Sequence, residues 1–160
     1  MLSLLTSLWS PVEVHRELDH TVDDVFATLA DPRTYPDWLV GAQRMRSVDD
    51  DFPAPGAEFH HSVGPIVDAT IDDSSTVRHI DAPHSLELEV RVGPIRGDVA
   101  FSIEAAGRGS VVRLAERPAG WAALVTPLIR PALGARNALS LRRLDHLLAL
   151  RGPASPRGAP

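Results

Sequence analysis

The chain has 160 residues, 44% of them apolar and 23% charged, which suits one globular domain and argues against wholesale disorder. It has no cysteine and all 16 basic residues are Arg, so disulfides, cysteine-held metals, thiol catalysis and Schiff-base or P-loop lysine chemistry are excluded. The net charge of −5 speaks against nucleic acid as a partner, and it is uneven: residues 1–116 carry nine Arg against 20 acids, residues 117–151 six Arg against Asp145 alone. A basic segment on an acidic body reads as internal charge matching rather than as a membrane-binding helix.

Met1 to Trp9 is apolar but short, without the basic start and small-residue cleavage site of a secretory signal. No stretch approaches the ~18 apolar residues of a membrane span. Residues 1–11 read as an N-terminal extension, 12–151 as one domain, and 152–160 as a disordered tail of Gly, Pro, Ala and Ser with one Arg. The absence of cysteine fits a reducing cytoplasm, the expected location.

Val12 to Leu18 alternates apolar and polar residues, a strand. Thr21 then caps a helix, with Val22, Val25, Phe26 and Leu29 on one stripe. Asp31-Pro32 opens a second short helix carrying Tyr35, Trp38 and Leu39, and Gly41 ends it. Regular turn signals then divide the chain into strands at 43–49, 57–63, 66–72, 75–82, 85–92, 95–106 and 109–116. Two separators share the tetrapeptides Val63-Gly64-Pro65-Ile66 and Val92-Gly93-Pro94-Ile95, where Gly before Pro suits a type II′ hairpin turn. From Ala119 to Leu150 the period becomes 3.6, a long helix whose Pro127 and Pro131 must lie in its first turns or kink it. The layout is α+β: a curved antiparallel sheet of about seven to eight strands wrapped around a long C-terminal helix, with two short helices after the first strand.

Short turns fix which residues share a face, because residues flanking a two-residue loop are opposite each other. Leu86, Leu88, Val90 and Val92 join Ile95, Gly97, Val99, Phe101 and Ile103 on an inward apolar face, which continues through Val112 and Leu114 to Glu116. Arg78 falls opposite Glu89 on the wet side. Two-residue turns at Pro83-His84, Asp73-Ser74 and Gly64-Pro65 bring in Val77, His79 and Asp81, then Ile66, Asp68 and Thr70, then Phe59, His61 and Val63. A row His61–Asp68–His79 would then cross three strands. It admits three readings: a polar belt without chemistry, an acid–base or ligand-orienting site in which Asp68 fixes a His tautomer, or a two-His-one-carboxylate metal site. The last is strained, since the outer two strands lie roughly 10 Å apart. Metal and cofactor are therefore both expected to be absent. No nucleophile elbow, phosphate loop, zinc-helix motif or dinucleotide fingerprint occurs.

On the long helix, Ile129, Leu133, Arg136 or Asn137, Ser140, Leu144 and Leu147 form the stripe expected to face the sheet. A polar group there needs a partner, and Glu116 is the acid at that end of the apolar face. Removing Glu116 from such a pair is expected to cost on the order of 3 kcal/mol.

Several segments resemble the START/Bet v 1-like helix-grip superfamily, in particular its polyketide cyclase/dehydrase-like branch. They are Val14-His15-Arg16-Glu17-Leu18, Val25-Phe26-Ala27-Thr28-Leu29-Ala30-Asp31, Tyr35-Pro36-Asp37-Trp38, Glu116-Arg117-Pro118-Ala119-Gly120 and the helix segment Arg136 to Leu144. The resemblance implies a helix-grip fold with an internal cavity between helix and sheet. It also implies one small hydrophobic molecule, lipid-, acyl- or polyketide-like, as the partner of a monomer or homodimer without stable membrane insertion. The residues expected to touch that ligand are Tyr35, Trp38, Phe59, His61, Asp68, His79, Leu88, Val90, Val99, Phe101, Leu114, Glu116, Leu133, Arg136, Asn137 and Ser140. The alternative is a cyclase or dehydratase in which His61, Asp68 and His79 supply acid–base chemistry without a cofactor.

Overall fold

A computed structural model describes residues 10–63 and 71–152. β1 (Val12–Leu18) leads through α1 (Val22–Leu29), a 3-10 turn (Pro32–Thr34) and α2 (Tyr35–Trp38) into a meander: β2 (Ala42–Val48), β3 (Glu58–Val63), β4 (Ile71–Asp81), β5 (Ser85–Val92), β6 (Ile95–Ala106) and β7 (Gly109–Ala119). α3 (Trp121–Arg151) closes the chain. The seven strands form one antiparallel sheet in the order β1-β7-β6-β5-β4-β3-β2. The first strand thus pairs with the last, and the sheet curls around α3. This is the α+β helix-grip architecture.

Local chemistry sets the short elements. Thr21 Oγ1 accepts from the Asp24 backbone N–H at 3.2 Å and starts α1. Asp31 Oδ1 accepts from the Arg33 N–H at 3.1 Å, and Pro32 fills the first position of the 3-10 turn. Tyr35 and Trp38 are fully buried and their polar atoms are satisfied: Tyr35 donates to the Leu29 carbonyl at 2.7 Å, and Trp38 Nε1 donates to Thr34 Oγ1 at 3.2 Å. Edge-to-face contacts run from Trp38 to Tyr35 and on to Phe59, which ties the short helices to β3.

β5 and β6 run as the turn spacing predicts, with Val92 opposite Ile95 and Gly93 at φ +54°, the left-handed region a glycine adopts without penalty. Leu86, Leu88, Phe101, Ile103, Val112 and Leu114 are all buried on the concave side.

Around β4 the expected registers fail. Asp73-Ser74 is not a turn; both residues lie within β4. Most of the strand placed at 66–72, the Gly64-Pro65 turn, and Ile66, Asp68 and Thr70 lie outside the described residues. The loop between β4 and β5 has three residues, since Asp81 pairs with Ser85. That shifts the parity, so Ile80 opposes buried Leu86, while His79 opposes Glu87 on the outer face. A bulge between Val77 and His79 then restores the alternation, leaving Val77, Ser75 and Asp73 inward and buried. His79 and Asp81 are exposed, contrary to the expectation from a two-residue turn. Arg78 still reaches Glu89 in an ion pair, although Thr76 is the residue directly opposite.

α3 keeps its expected face at Asn137, Ser140 and Leu144 and departs from it at Ile129. Pro127 and Pro131 lie inside the helix. The buried positions are Ala122, Thr126, Asn137, Ser140, Leu141, Leu144 and Leu148. Leu133 and Leu147 are half-buried flanks, and Ile129 is exposed with Trp121, Leu124, Val125 and Leu128. The expected polar contact does form. Arg136 Nη2 and Asn137 Nδ2 both donate to Glu116 Oε2, the second at 3.1 Å, and Arg136 also donates to Asn137 Oδ1 at 2.9 Å. Ser140 Oγ donates to the Arg136 carbonyl at 3.1 Å and accepts from the Val40 N–H at 3.0 Å. Further along, Arg16 of β1 donates to Asp145 at 2.7 Å. Arg136 with Glu116 matches the basic helix to the acidic body, whereas Arg16 with Asp145 pairs the two in the opposite sense.

Glu116→Ala leaves the fully buried Asn137 amide without its acceptor, while the Arg136 side chain, 39% exposed, keeps access to water. The expected loss is therefore smaller than for a sealed ion pair, on the order of 2 kcal/mol. Glu116→Gln, which keeps an acceptor, should lose less. Urea unfolding checks this, and an unchanged midpoint for Glu116→Ala would refute the clamp.

Candidate functional site

Between the concave sheet, the chain from Tyr35 to Ala42 and α3 lies a cavity of about 200 Å³. β5, β6 and β7 give it an apolar wall of Leu88, Val90, Val92, Val99, Phe101 and Leu114. Phe59 and Tyr35 close one side, and Leu39, Val40, Gly41 and Ala42 line it where Val40 meets Ser140 of α3. Gly41 has φ +102°, a conformation L side chains rarely adopt, so this tight exit from α2 requires glycine.

Polar side chains gather at two places. Glu116, Arg136 and Asn137 form the helix–sheet clamp described above. His61, Asp73 and Ser75 form the other group, on β3 and β4. Asp73 stands three strands from Glu116 in the sheet order, so roughly 14 Å of apolar wall separates the groups. The Glu116 end is open, whereas the His61 and Asp73 side chains are only 5% and 1% exposed.

His61 and Asp73 are directly opposed in the β3–β4 register, and His61 Nε2 lies 3.3 Å from Asp73 Oδ2. Their other polar atoms, His61 Nδ1 and Asp73 Oδ1, are buried without a hydrogen-bond partner. Burial is the main cause of both shifts in acidity. It pushes Asp73 up to about 7, against the opposing pull of the Ser74 and Arg91 backbone N–H groups and the Arg46 charge. It pushes His61 down to about 4, and the Arg46 and His60 charges add to the shift. Between those values the pair holds one acidic proton, on the carboxyl, beside a neutral imidazole.

The expected row of two His and one Asp is therefore replaced by a single His–Asp pair. Asp73 takes the part expected of Asp68, which lies outside the described residues, and His79 faces solvent. The metal reading of that row falls with it, since His79 stands on the outer face, away from His61. Of the other expected positions, Tyr35, Phe59, Leu88, Val90, Val99, Phe101, Leu114, Glu116, Arg136 and Asn137 line the cavity, as does His61. Trp38 is packed in the core, Ser140 supports the clamp and Leu133 flanks the helix, so none of these three lines it. Asp73, Ser75, Val92 and Leu39 to Ala42 line the cavity and were not expected. The alternation Asp73, Ser75, Val77 carried the signal for the first two, had β4 been drawn through Asp73.

A family model described as polyketide cyclase / dehydrase and lipid transport matches residues 11–149. The chain belongs to that family. Its members share the helix-grip fold, and solved structures agree. A structural-genomics protein from Rhodobacter sphaeroides superposes with a TM-score of 0.74 at 19% identity, over 89% of this chain and 94% of that one. Another, from Nitrosomonas europaea, gives 0.72 at 17% identity, over 89% and 96%. StfQ, the di-domain ARO/CYC protein of the steffimycin biosynthetic pathway, gives 0.67 at 14% identity, over 89% of this chain and 52% of StfQ. No curated protein matches the chain in sequence. No helix among the described residues is long and apolar enough to cross a membrane.

The His61–Asp73 pair generates a pH prediction. A buried Asp held above its ordinary 3.8 weakens folding as pH rises through that interval, and a buried His held below 6.5 weakens it as pH falls. Together they nearly cancel, because folded and unfolded chains then bind the same number of protons and differ in whether carboxyl or imidazole holds the last one. Single variants should uncover the two slopes. His61→Gln is expected to lose stability as pH rises from 4 toward 7, and Asp73→Asn as pH falls from 6.5 toward 4, each by on the order of 2 kcal/mol. Urea midpoints across that range measure both, and parallel profiles for the two variants would contradict the pairing.

Proposed function

We propose that this chain binds one small hydrophobic molecule in the cavity between sheet and helix. The observation that carries the reading is the lining: a continuous apolar wall from three strands, with polar side chains confined to two ends. Such a cavity holds an apolar body by burial and orients it by a few polar contacts. The family description, which joins lipid transport to cyclase chemistry, supports a lipid-, acyl- or polyketide-like ligand. The ligand enters beside Leu39 to Ala42 and the Arg136 end.

Naphthalene, followed by calorimetry or ligand-observed NMR, is a suitable probe. The wild-type protein should bind it, and Val90→Trp, which fills the middle of the cavity, should weaken binding at least about tenfold with an unchanged circular dichroism spectrum. No binding to the wild-type protein, or equal binding to the filled variant, refutes the reading.

The buried His–Asp pair favours a second reading, a cyclase or dehydratase. In it the Asp73-backed His61 takes a proton beside a ligand carbonyl and returns one to a departing hydroxyl, leaving an enone and water. Loss of water from an aryl β-hydroxy ketone, catalysed by the wild-type protein but not by Asp73→Asn, would establish it. Equal rates with and without protein would remove it.

A further inference from the structure

We propose that His61 and Asp73 recognise an uncharged hydroxyl group at the deep end of the ligand. The inference rests on the binding reading above and names the head group that the cavity accepts.

Two polar atoms, His61 Nδ1 and Asp73 Oδ1, are buried without partners in residues that line the cavity. Buried polar atoms are nearly always hydrogen-bonded, and leaving one unmet costs about 1–3 kcal/mol. Two such atoms on one contacting pair therefore call for a partner from outside the chain. The Nε2–Oδ2 contact of 3.3 Å constrains what that partner is. When the pair holds its acidic proton, Asp73 Oδ2 donates to Nε2, Nδ1 carries the hydrogen of the neutral ring, and Oδ1 accepts. When that proton is lost, Nε2–H donates to Oδ2, and Nδ1 and Oδ1 both accept. Oδ1 is thus an acceptor in either state, so the ligand must supply a donor to it. A hydroxyl does so and keeps lone pairs for the Nδ1–H donor of the protonated state.

Charged heads fit poorly here. A ligand carboxylate would set its own oxygens against Oδ1, and at 5% and 1% exposure no water screens the contact. The charges nearest the pair do not alter this. Arg46 on β2 acts on both groups, His60 acts on His61 from the same strand, and the Arg91 and Ser74 backbone N–H groups act on Asp73 from β5 and β4. Ser75, next along the inward side of β4, adds a hydroxyl that suits the same kind of group. The ligand class is an apolar body bearing a phenolic, enolic or alcoholic hydroxyl that enters first.

Matched probes test this. Wild-type protein is expected to bind 2-naphthol about tenfold more tightly than naphthalene, the preference one net hydrogen bond confers. The double variant His61→Phe with Asp73→Leu, apolar at both positions, should bind the two probes equally, with its fold checked by circular dichroism. Asp73→Asn keeps the shape of the protonated pair, its amide N–H directed at Nε2 and its Oδ1 still accepting, and should retain the preference. In 15N spectra of wild-type protein, 2-naphthol should shift the His61 ring nitrogens and naphthalene should not. If the wild-type protein binds both probes equally, water alone meets the two atoms and the proposal is wrong. A preference that survives in the double variant also overturns it, placing the hydroxyl at the Arg136 end. If neither probe binds the wild-type protein, the binding reading itself falls.

Discussion

The structure turns on how α3 meets the sheet at Glu116. A helix laid on a concave sheet closes the gap wherever apolar side chains fill it, and Leu141, Leu144 and Leu148 do so against the core toward the C-terminus. At Asn137 and Ser140 the buried stripe becomes polar, and both residues are fully buried. Their hydrogen bonds reach Glu116 on β7 and Val40 after α2, fixing the helix to the sheet and to the loop. Polar contacts have strict lengths and directions, so they set a distance rather than collapse one. The cavity lies beside this bridge, and the clamp and the wall belong to one arrangement.

The curl of the sheet places the second polar group far from the first. β1 pairs with β7, so β3 and β4 lie toward the opposite edge, and their inward residues meet the cavity from the side away from Glu116. One group is partly open and holds the Arg136–Glu116 ion pair. The other is sealed and holds no unpaired charge below the Asp73 transition. An apolar molecule between two such ends has a reason to lie in one direction.

The His–Asp pair shows how burial redistributes a proton without much changing the proton count. In water an isolated His takes the proton and an isolated Asp gives it up. Inside the sheet both charged forms lose hydration, so the neutral acid beside the neutral imidazole is favoured. The same dryness raises the cost of leaving Nδ1 and Oδ1 unmet.

The sequence alone determined the fold class, the meander, the caps at Thr21 and Asp31, the inward faces of β5 to β7, and the partnership of Glu116 with Arg136 and Asn137. Each rests on signals within a few residues: alternation, a two-residue turn, a capping side chain, or one acid at the end of an apolar face. What only the tertiary structure decided lies where those signals are ambiguous. A three-residue loop and a compensating bulge in β4 reverse the parity at His79 and keep it at Val77, and a slip of one residue moves a side chain to the other face. The turn-like pair Asp73-Ser74 is held in a strand by ladders to both β3 and β5, which override the local preference of Asp and Ser for turns. In the first half of α3, large apolar residues surround the helix, so periodicity cannot choose its face. The packing against the sheet chooses it, burying Ala122 and Thr126 and leaving Leu124 and Leu128 outside.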